Sequence, residues 1–290
     1  MVIHSDTQSS TDILSKLDKL NKKSELKKGE VALVGSGPGD AELLTIRALR
    51  FIEQANVAIY DRLVSDEIMS LLPENCERFY VGKEQAKHCV PQEKINELLV
   101  QYAKQGRKVL RLKGGDPFIF GRGGEEAEFL LKNDIDCHLC PGITAASGCT
   151  TYAGIPLTYR GVAQGCTFIT GHMQNDGQLN LPWQSLSCGS QTVVFYMAIN
   201  TLTSITEQLI KHGRSASTPA ALIRKGTQPE QQVFRGELAN LADLVKQYKI
   251  TPPTLIVIGD VVNQLTDVAL AKPGFLTAKN YQTQMGLSKQ

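Results

Sequence analysis

Long hydrophobic runs, net charge and paired cysteine motifs are all scarce in this 290-residue chain. No stretch approaches the ~18 uninterrupted apolar residues that a membrane helix needs, so a membrane partner is not expected. The opening MVIHSDTQSSTDILSKLDKL has no apolar h-region and does not read as a secretory signal. Formal charge is only +2, from 31 Lys+Arg against 29 Asp+Glu. A nucleic-acid surface demands a broad basic excess, so nucleic acid is not an expected partner either. Seven cysteines, an odd number scattered singly, do not make a disulfide framework, and a reduced, cytoplasmic setting is expected. Cys137-His-Leu-Cys140 is a C-x-x-C with no second pair. Residues i and i+3 of a strand point to opposite faces, so no metal site is expected there. Internal repeats and low-complexity tracts are absent.

What the chain does have is an ordinary globular composition, 42% apolar and 21% charged, over a length that suits two modest domains. Residues 1–29 read as a polar extension, with Ile13, Leu14, Leu17 and Leu20 at helical spacing. From Val31 the pattern alternates. Strands are expected at Val31–Val34, Val57–Tyr60, Val109–Leu112 and Ile135–Leu139, with helices over 41–55, 92–105 and 125–132 between them. That alternation predicts a mainly parallel sheet covered on both faces. Pro141-Gly142 is the best boundary, dividing an N-terminal α/β domain (30–140) from a C-terminal one (141–267), with a polar tail over 268–290. Beyond it, strands are expected at 166–170, 192–197, 219–224, 231–235 and 254–259, and helices near 144–150, 201–212 and 237–247. The close succession of 219–224 and 231–235 favours a mixed sheet.

Four constellations carry chemistry. Gly35-Ser-Gly-Pro-Gly-Asp40 joins a strand to a helix and allows close backbone approach to a ligand, with Asp40 as a helix N-cap. A dinucleotide fingerprint would need glycine where Asp40 stands, and an acid there repels pyrophosphate. An NAD-dependent oxidoreductase therefore stays open only as an alternative, kept alive by Asp61 at the end of the second strand. Asp61 and Lys83 (in Val81-Gly-Lys83) are expected beyond the carboxyl ends of strands, where they form either an acid/base pair or a structural ion pair. Arg111-Leu-Lys-Gly-Gly-Asp-Pro-Phe-Ile-Phe-Gly-Arg-Gly-Gly124 packs five glycines, three cations and the single acid Asp116 into fourteen residues. Glycine this dense is costly to order, which favours a ligand cradle over a bland loop. Pro141–Gly148 brings small residues after a break, and Thr144 either caps the next helix or lines a site.

Together these segments resemble the tetrapyrrole methylase family. The resemblance rests on Val34–Asp40 with Leu44–Ala48, Tyr60–Ser65, Val81–Lys83, His88–Gln92, Val109–Glu126 and Pro141–Gly148. It continues through Ile169–His172, Val194–Met197, Lys225–Thr227 and Ile256–Val262, and so covers about residues 29–266. The run at 111–124 is its most specific part. The resemblance implies two α/β domains with the active site in the cleft between them, and S-adenosylmethionine as methyl donor, leaving S-adenosylhomocysteine. Cofactor contacts carried over are Pro38, Gly114, Gly115, Asp116, Ile119, Thr144, Ala145, Met197 and Gly226. Asp61 becomes a proton acceptor and Lys83 a proton donor. The implied reaction is C-methylation of uroporphyrinogen III at C-2 and C-7, giving precorrin-2 through precorrin-1 for siroheme or cobalamin biosynthesis. A homodimer is also implied. Such a polycarboxylated substrate needs a cationic rim, and Arg111, Lys113, Arg122, Arg160, His172 and Lys225 are the candidates. The family's bifunctional members carry a dehydrogenase/ferrochelatase domain ahead of this region. About 29 residues precede Val31 here, so a stand-alone methyltransferase is expected.

Overall fold

A computed structural model describes residues 24–82, 90–172 and 179–265. Lys83, His88, Cys89, the helix expected around 13–20 and the tail from 268 lie outside the described residues. The first half runs β1 (Val31–Gly35), α1 (Ile46–Gln54), β2 (Val57–Tyr60), α2 (Asp66–Met69), β3 (Glu77–Tyr80), α3 (Gln92–Lys104), β4 (Val109–Lys113), α4 (Gly123–Leu131) and β5 (Cys137–Cys140). Its strands pair in the order β3-β2-β4-β1-β5, every pair parallel. The second half runs α5 (Ala145–Tyr152), β6 (Gly165–Thr170), α6 (Trp183–Leu186), β7 (Gln191–Tyr196), α7 (Leu202–Lys211), β8 (Pro219–Arg224), β9 (Gln232–Glu237), α8 (Leu241–Tyr248) and β10 (Thr254–Ile258). Its sheet has the order β6-β7-β10-β8-β9 and is mixed: β6 and β7 are parallel and the other pairs antiparallel. The fold is thus α/β, with two sheets and helices against both.

Alternation along β1 shows how the first core is built. Ala32 and Val34 point toward α1 and join Ala48, Phe51 and Ile52 in one cluster. Val31 and Leu33 point the other way and join Ile95, Leu99 and Leu130 from α3 and α4. Burial of each large apolar side chain here contributes about 1.5–3 kcal/mol. Because α1 and α4 lie on opposite faces, the chain leaving the adjacent strands β1 and β4 goes on to opposite sides of the sheet. Such a switch point opens a crevice at the strands' carboxyl ends, where ligands bind in sheets of this type. The second sheet repeats the scheme, with Val193 and Phe195 facing α7 and Val194 facing α5.

Several local expectations change. Asp40 caps the short 3-10 turn Ala41–Leu43 by accepting from Glu42 N–H at 2.8 Å, while the α-helix proper starts later, capped by Thr45. Thr144 does not cap α5 with its side chain. The polar extension is not polar at its described end. Leu26 is fully buried in the first core, and its N–H donates to Gln54 Oε1 at 2.9 Å. Strand β3 was not expected. It is an edge strand, largely exposed, with no apolar run to reveal it.

Candidate functional site

Topology places many loops on one cleft. All strands of the first sheet are parallel, so their carboxyl ends share one edge. In the second sheet β6 and β7 run together, and β8, antiparallel to β10, runs the same way as β7. Thr170, Tyr196 and Arg224 therefore end on one edge as well. The start of α5 joins the two sets. Gly37 and Gly115 exchange backbone hydrogen bonds of 3.1 and 2.6 Å, which ties the β1 loop to the β4 loop. Asp116 Oδ2 accepts from Gly142 N–H at 3.1 Å, and Oδ1 accepts from Phe118 N–H at 2.8 Å. A Cβ on Gly115 would lie 3.8 Å from Ala145 N and 4.0 Å from Thr144 Cα. Pro38 packs on Gly148, and Gly226 packs on Cys149, one turn further along α5.

Tyr196 was missed as a site residue because β7 reads as a plain apolar strand. Its phenol oxygen accepts from Ala146 N–H at 2.8 Å and shares a 2.6 Å hydrogen bond with Thr144 Oγ1. It therefore caps α5 in the place expected of Thr144. Its ring packs on Phe120 at 5.0 Å and Phe168 at 6.0 Å between centroids. Burial raises the pKa of the phenol, so it stays neutral. Tyr196→Phe keeps the ring contacts and removes the cap. It is expected to lose about 1–2 kcal/mol, measured by denaturant unfolding.

Asp40 also bridges the halves. Its N–H donates to Thr227 Oγ1 at 3.2 Å, and Oδ2 accepts from Tyr152 O–H at 2.7 Å. That hydrogen bond, more than partial burial, pushes the Tyr152 phenol up to about 12. An acid fixed there by a tyrosine, at the position where a dinucleotide fold needs glycine, weighs against the NAD alternative.

Asp61 ends β2 as expected. Its Oδ1 accepts from Leu63 N–H at 2.9 Å, and Leu63 packs on Gly114. Oδ2 lies 3.9 Å from Arg111 Nη2. Two of the expected rim cations are not on a rim. Arg111 is 3% exposed and Lys113 4%. Both donate to the buried Glu126, at 3.1 and 3.0 Å, because β4 is covered on both faces and a buried cation needs a partner. Burial, then the charge of Arg111, hold the Lys113 ammonium below the usual lysine range. Arg122 is exposed, but its guanidinium is engaged by Glu125 at 2.6 and 2.9 Å. Lys225 sits on its loop 3.8 Å from Glu230. His172, exposed, follows the end of β6, and Arg160 is exposed on the 159–163 turn. Among the described residues, no group of His, Cys, Asp and Glu is placed to hold a metal.

Backbone strain gathers at the same cleft. Eight described non-glycine residues have positive φ, and five of them are Phe120, Arg122, Met197, Lys225 and Thr227. Those five occupy the three loops that follow β4, β7 and β8. Residues held in this region cost about 1–3 kcal/mol each and persist at ligand clamps. Met197 is 56% exposed and follows Tyr196, whose ring packs on Phe120; Phe118, Ile119 and Phe120 are exposed as well.

This geometry is that of an α/β protein whose loops converge between two sheets. The chain belongs to the tetrapyrrole (corrin/porphyrin) methylases, whose family model matches residues 30–242. It is 59% identical over 234 residues to a siroheme synthase of Ruthia magnifica subsp. Calyptogena magnifica, which spans 81% of this chain and 49% of that protein. The chain thus matches about half the length of that curated relative. It is similar to the uroporphyrin-III C-methyl transferase of Thermus thermophilus in complex with S-adenosylhomocysteine: 35% identity, TM-score 0.69, covering 80% of this chain and 98% of that one. The fold is also that of a cobalt-precorrin-4 methyltransferase, at TM-score 0.72 and 22% identity over 81% of this chain and 96% of that one.

Proposed function

We propose that this protein transfers methyl groups from S-adenosylmethionine to carbon atoms C-2 and C-7 of uroporphyrinogen III, giving precorrin-2 through precorrin-1. The observation that carries the reading is the gathering of the strained loops along the first two turns of α5, with Asp61 on the loop that packs against Gly114. The methyl donor fits what is there. Gly115, Thr144 and Ala145 lie side by side and are partly exposed, and Met197 and Ile119 are exposed apolar side chains on the neighbouring loops. Asp116 uses each oxygen once, so it has acceptor capacity left for a hydroxyl or an amine. Pro38 and Gly226 act from behind, by packing against α5.

When bound, S-adenosylmethionine supplies an activated methyl on a cationic sulfonium. The chain's task is alignment, and positioning supplies as much as ~7–11 kcal/mol of barrier reduction. As the ring carbon bonds to the methyl, the C–S bond breaks and its electron pair stays on sulfur. The pyrrole N–H then becomes acidic and loses its proton. Asp61 takes that proton at Oδ2, since Oδ1 is held by Leu63 N–H. Lys83 is the proposed proton donor. With Arg111 and Lys113 buried, the substrate's carboxylates fall to Arg160, His172, Lys225 and Arg62, the last exposed beside Asp61 and not singled out from sequence.

The test is anaerobic incubation with S-adenosylmethionine and uroporphyrinogen III, read by mass spectrometry. Gain of two methyl groups is expected. No gain of methyl overturns the reading, and gain of one overturns the two-site assignment.

A further inference from the structure

Glu126, on the first turn of α4, is fully buried. Its Oε1 accepts from Arg111 Nε at 3.1 Å, Lys113 Nζ at 3.0 Å and Gln92 Nε2 at 3.0 Å, while its buried Oε2 has no hydrogen-bond partner. With Asp61, the cluster holds two carboxylates and two cations. Such clusters are poor stabilisers: replacing a buried ion pair by apolar side chains is often neutral or favourable. The orphaned oxygen adds a desolvation penalty. The cost falls beneath the proposed base. Arg111 is fixed by Glu126 and by two carbonyl oxygens, Ile59 at 3.3 Å and Leu112 at 3.1 Å, leaving Nη2 toward Asp61 Oδ2 at 3.9 Å.

We propose that Glu126 is a positioning residue for Asp61. Through Arg111 it fixes the cation beside Asp61, and by balancing Arg111 and Lys113 it sets how readily the Asp61 carboxylate takes a proton. This rests on the methyl-transfer reading above. The groups facing Glu126 are Arg111 and Lys113 from β4, the neutral Gln92 and Asn96 from α3 with Glu93 further out, Arg122 and Glu125 from its own helix start, and Cys137 from β5. Facing Asp61 are Arg111 and Lys113, with Arg62 next along its own loop.

Glu126→Gln keeps an acceptor at Oε1 and removes the charge. Two cations then face Asp61 without compensation, so its carboxylate stays ionised to lower pH and is a weaker base. The expected result is a kcat about tenfold lower, KM within about twofold, and an acidic limb of kcat against pH moved down by about one unit. Adding Lys113→Met removes one cation with the anion and should return the limb to the wild-type position. Should Glu126→Gln alone not fold, Lys113→Met and the double variant carry the test. The first moves the limb up, and the second brings it back. A limb that stays put across these variants, with rates following stability alone, overturns the proposal. If the wild type transfers no methyl group, it is the underlying reading that falls.

Discussion

Gly142→Ala is expected to unfold roughly 6–12 °C below the wild type and to lose methyl transfer with it. The reason is backbone, not side chain. A Cβ at position 142 would lie 2.3 Å from Gly115 O and 2.8 Å from both Cα and C of Gly35. None of these atoms can rotate away. Gly35 is the end of strand β1, which is paired on both sides by β4 and β5, and Gly115 is locked to Gly37 by two hydrogen bonds. Overpacking of a rigid site typically costs about 1–3 kcal/mol, and three backbone clashes put this case at the upper end or beyond. The displacement would also break the Gly142 N–H bond to Asp116, so binding loops from both halves would move. Gly124→Ala is the control. Nothing lies within 4 Å of a Cβ there, and it sits in α4, so alanine should stabilise by about 0.5–1 kcal/mol. Thermal unfolding of the two variants side by side checks the contrast. Equal melting temperatures would refute the packing account.

That contrast bears on what could be read in the residues. The glycines of 35–39, 111–124 and 142 looked like a cradle for a ligand. Two of them, Gly35 and Gly142, instead let three backbone segments touch each other, and the proposed ligand surface is built on those contacts. Spacing along a chain does not show this, because the partner is another stretch of backbone many residues away. Arg111 and Lys113 misled for a related reason. Two cations beside a glycine-rich loop look like an anion site. Their partner Glu126 lies 15 and 13 residues on, and only the packing of α4 over β4 brings it back. Elements with strong periodicity were legible: Val57–Tyr60 and the strand over 219–224 fall where the apolar runs place them. Helix starts were less so. Thr45 takes the cap expected of Asp40, and Tyr196 the one expected of Thr144, exchanges that only three-dimensional contact decides.

Asp61→Asn is expected to lower the single-turnover rate of methyl transfer by about 10²–10⁴-fold, the usual range for removing a positioned general base. The substitution is close to isosteric, so the effect isolates chemistry from packing. Asp61 is a quarter exposed and makes few contacts: Leu63 N–H on one oxygen and Arg111 at 3.9 Å from the other. An asparagine carbonyl can still accept from Leu63 N–H, so the loop against Gly114 should keep its shape. The amide that replaces Oδ2 cannot hold a proton from a pyrrole nitrogen, and it faces a guanidinium that it does not neutralise. Binding of S-adenosylhomocysteine, measured by calorimetry, should change little, because the proposed cofactor contacts lie around α5 and not at Asp61. A rate near that of the wild type would remove Asp61 from the proton transfer and leave it an orienting group for the loop. A lost rate together with lost cofactor binding would place the defect in the cleft's architecture. The base assignment requires the split: binding kept, transfer lost, and no recovery as the pH is raised, since no carboxylate remains to be ionised.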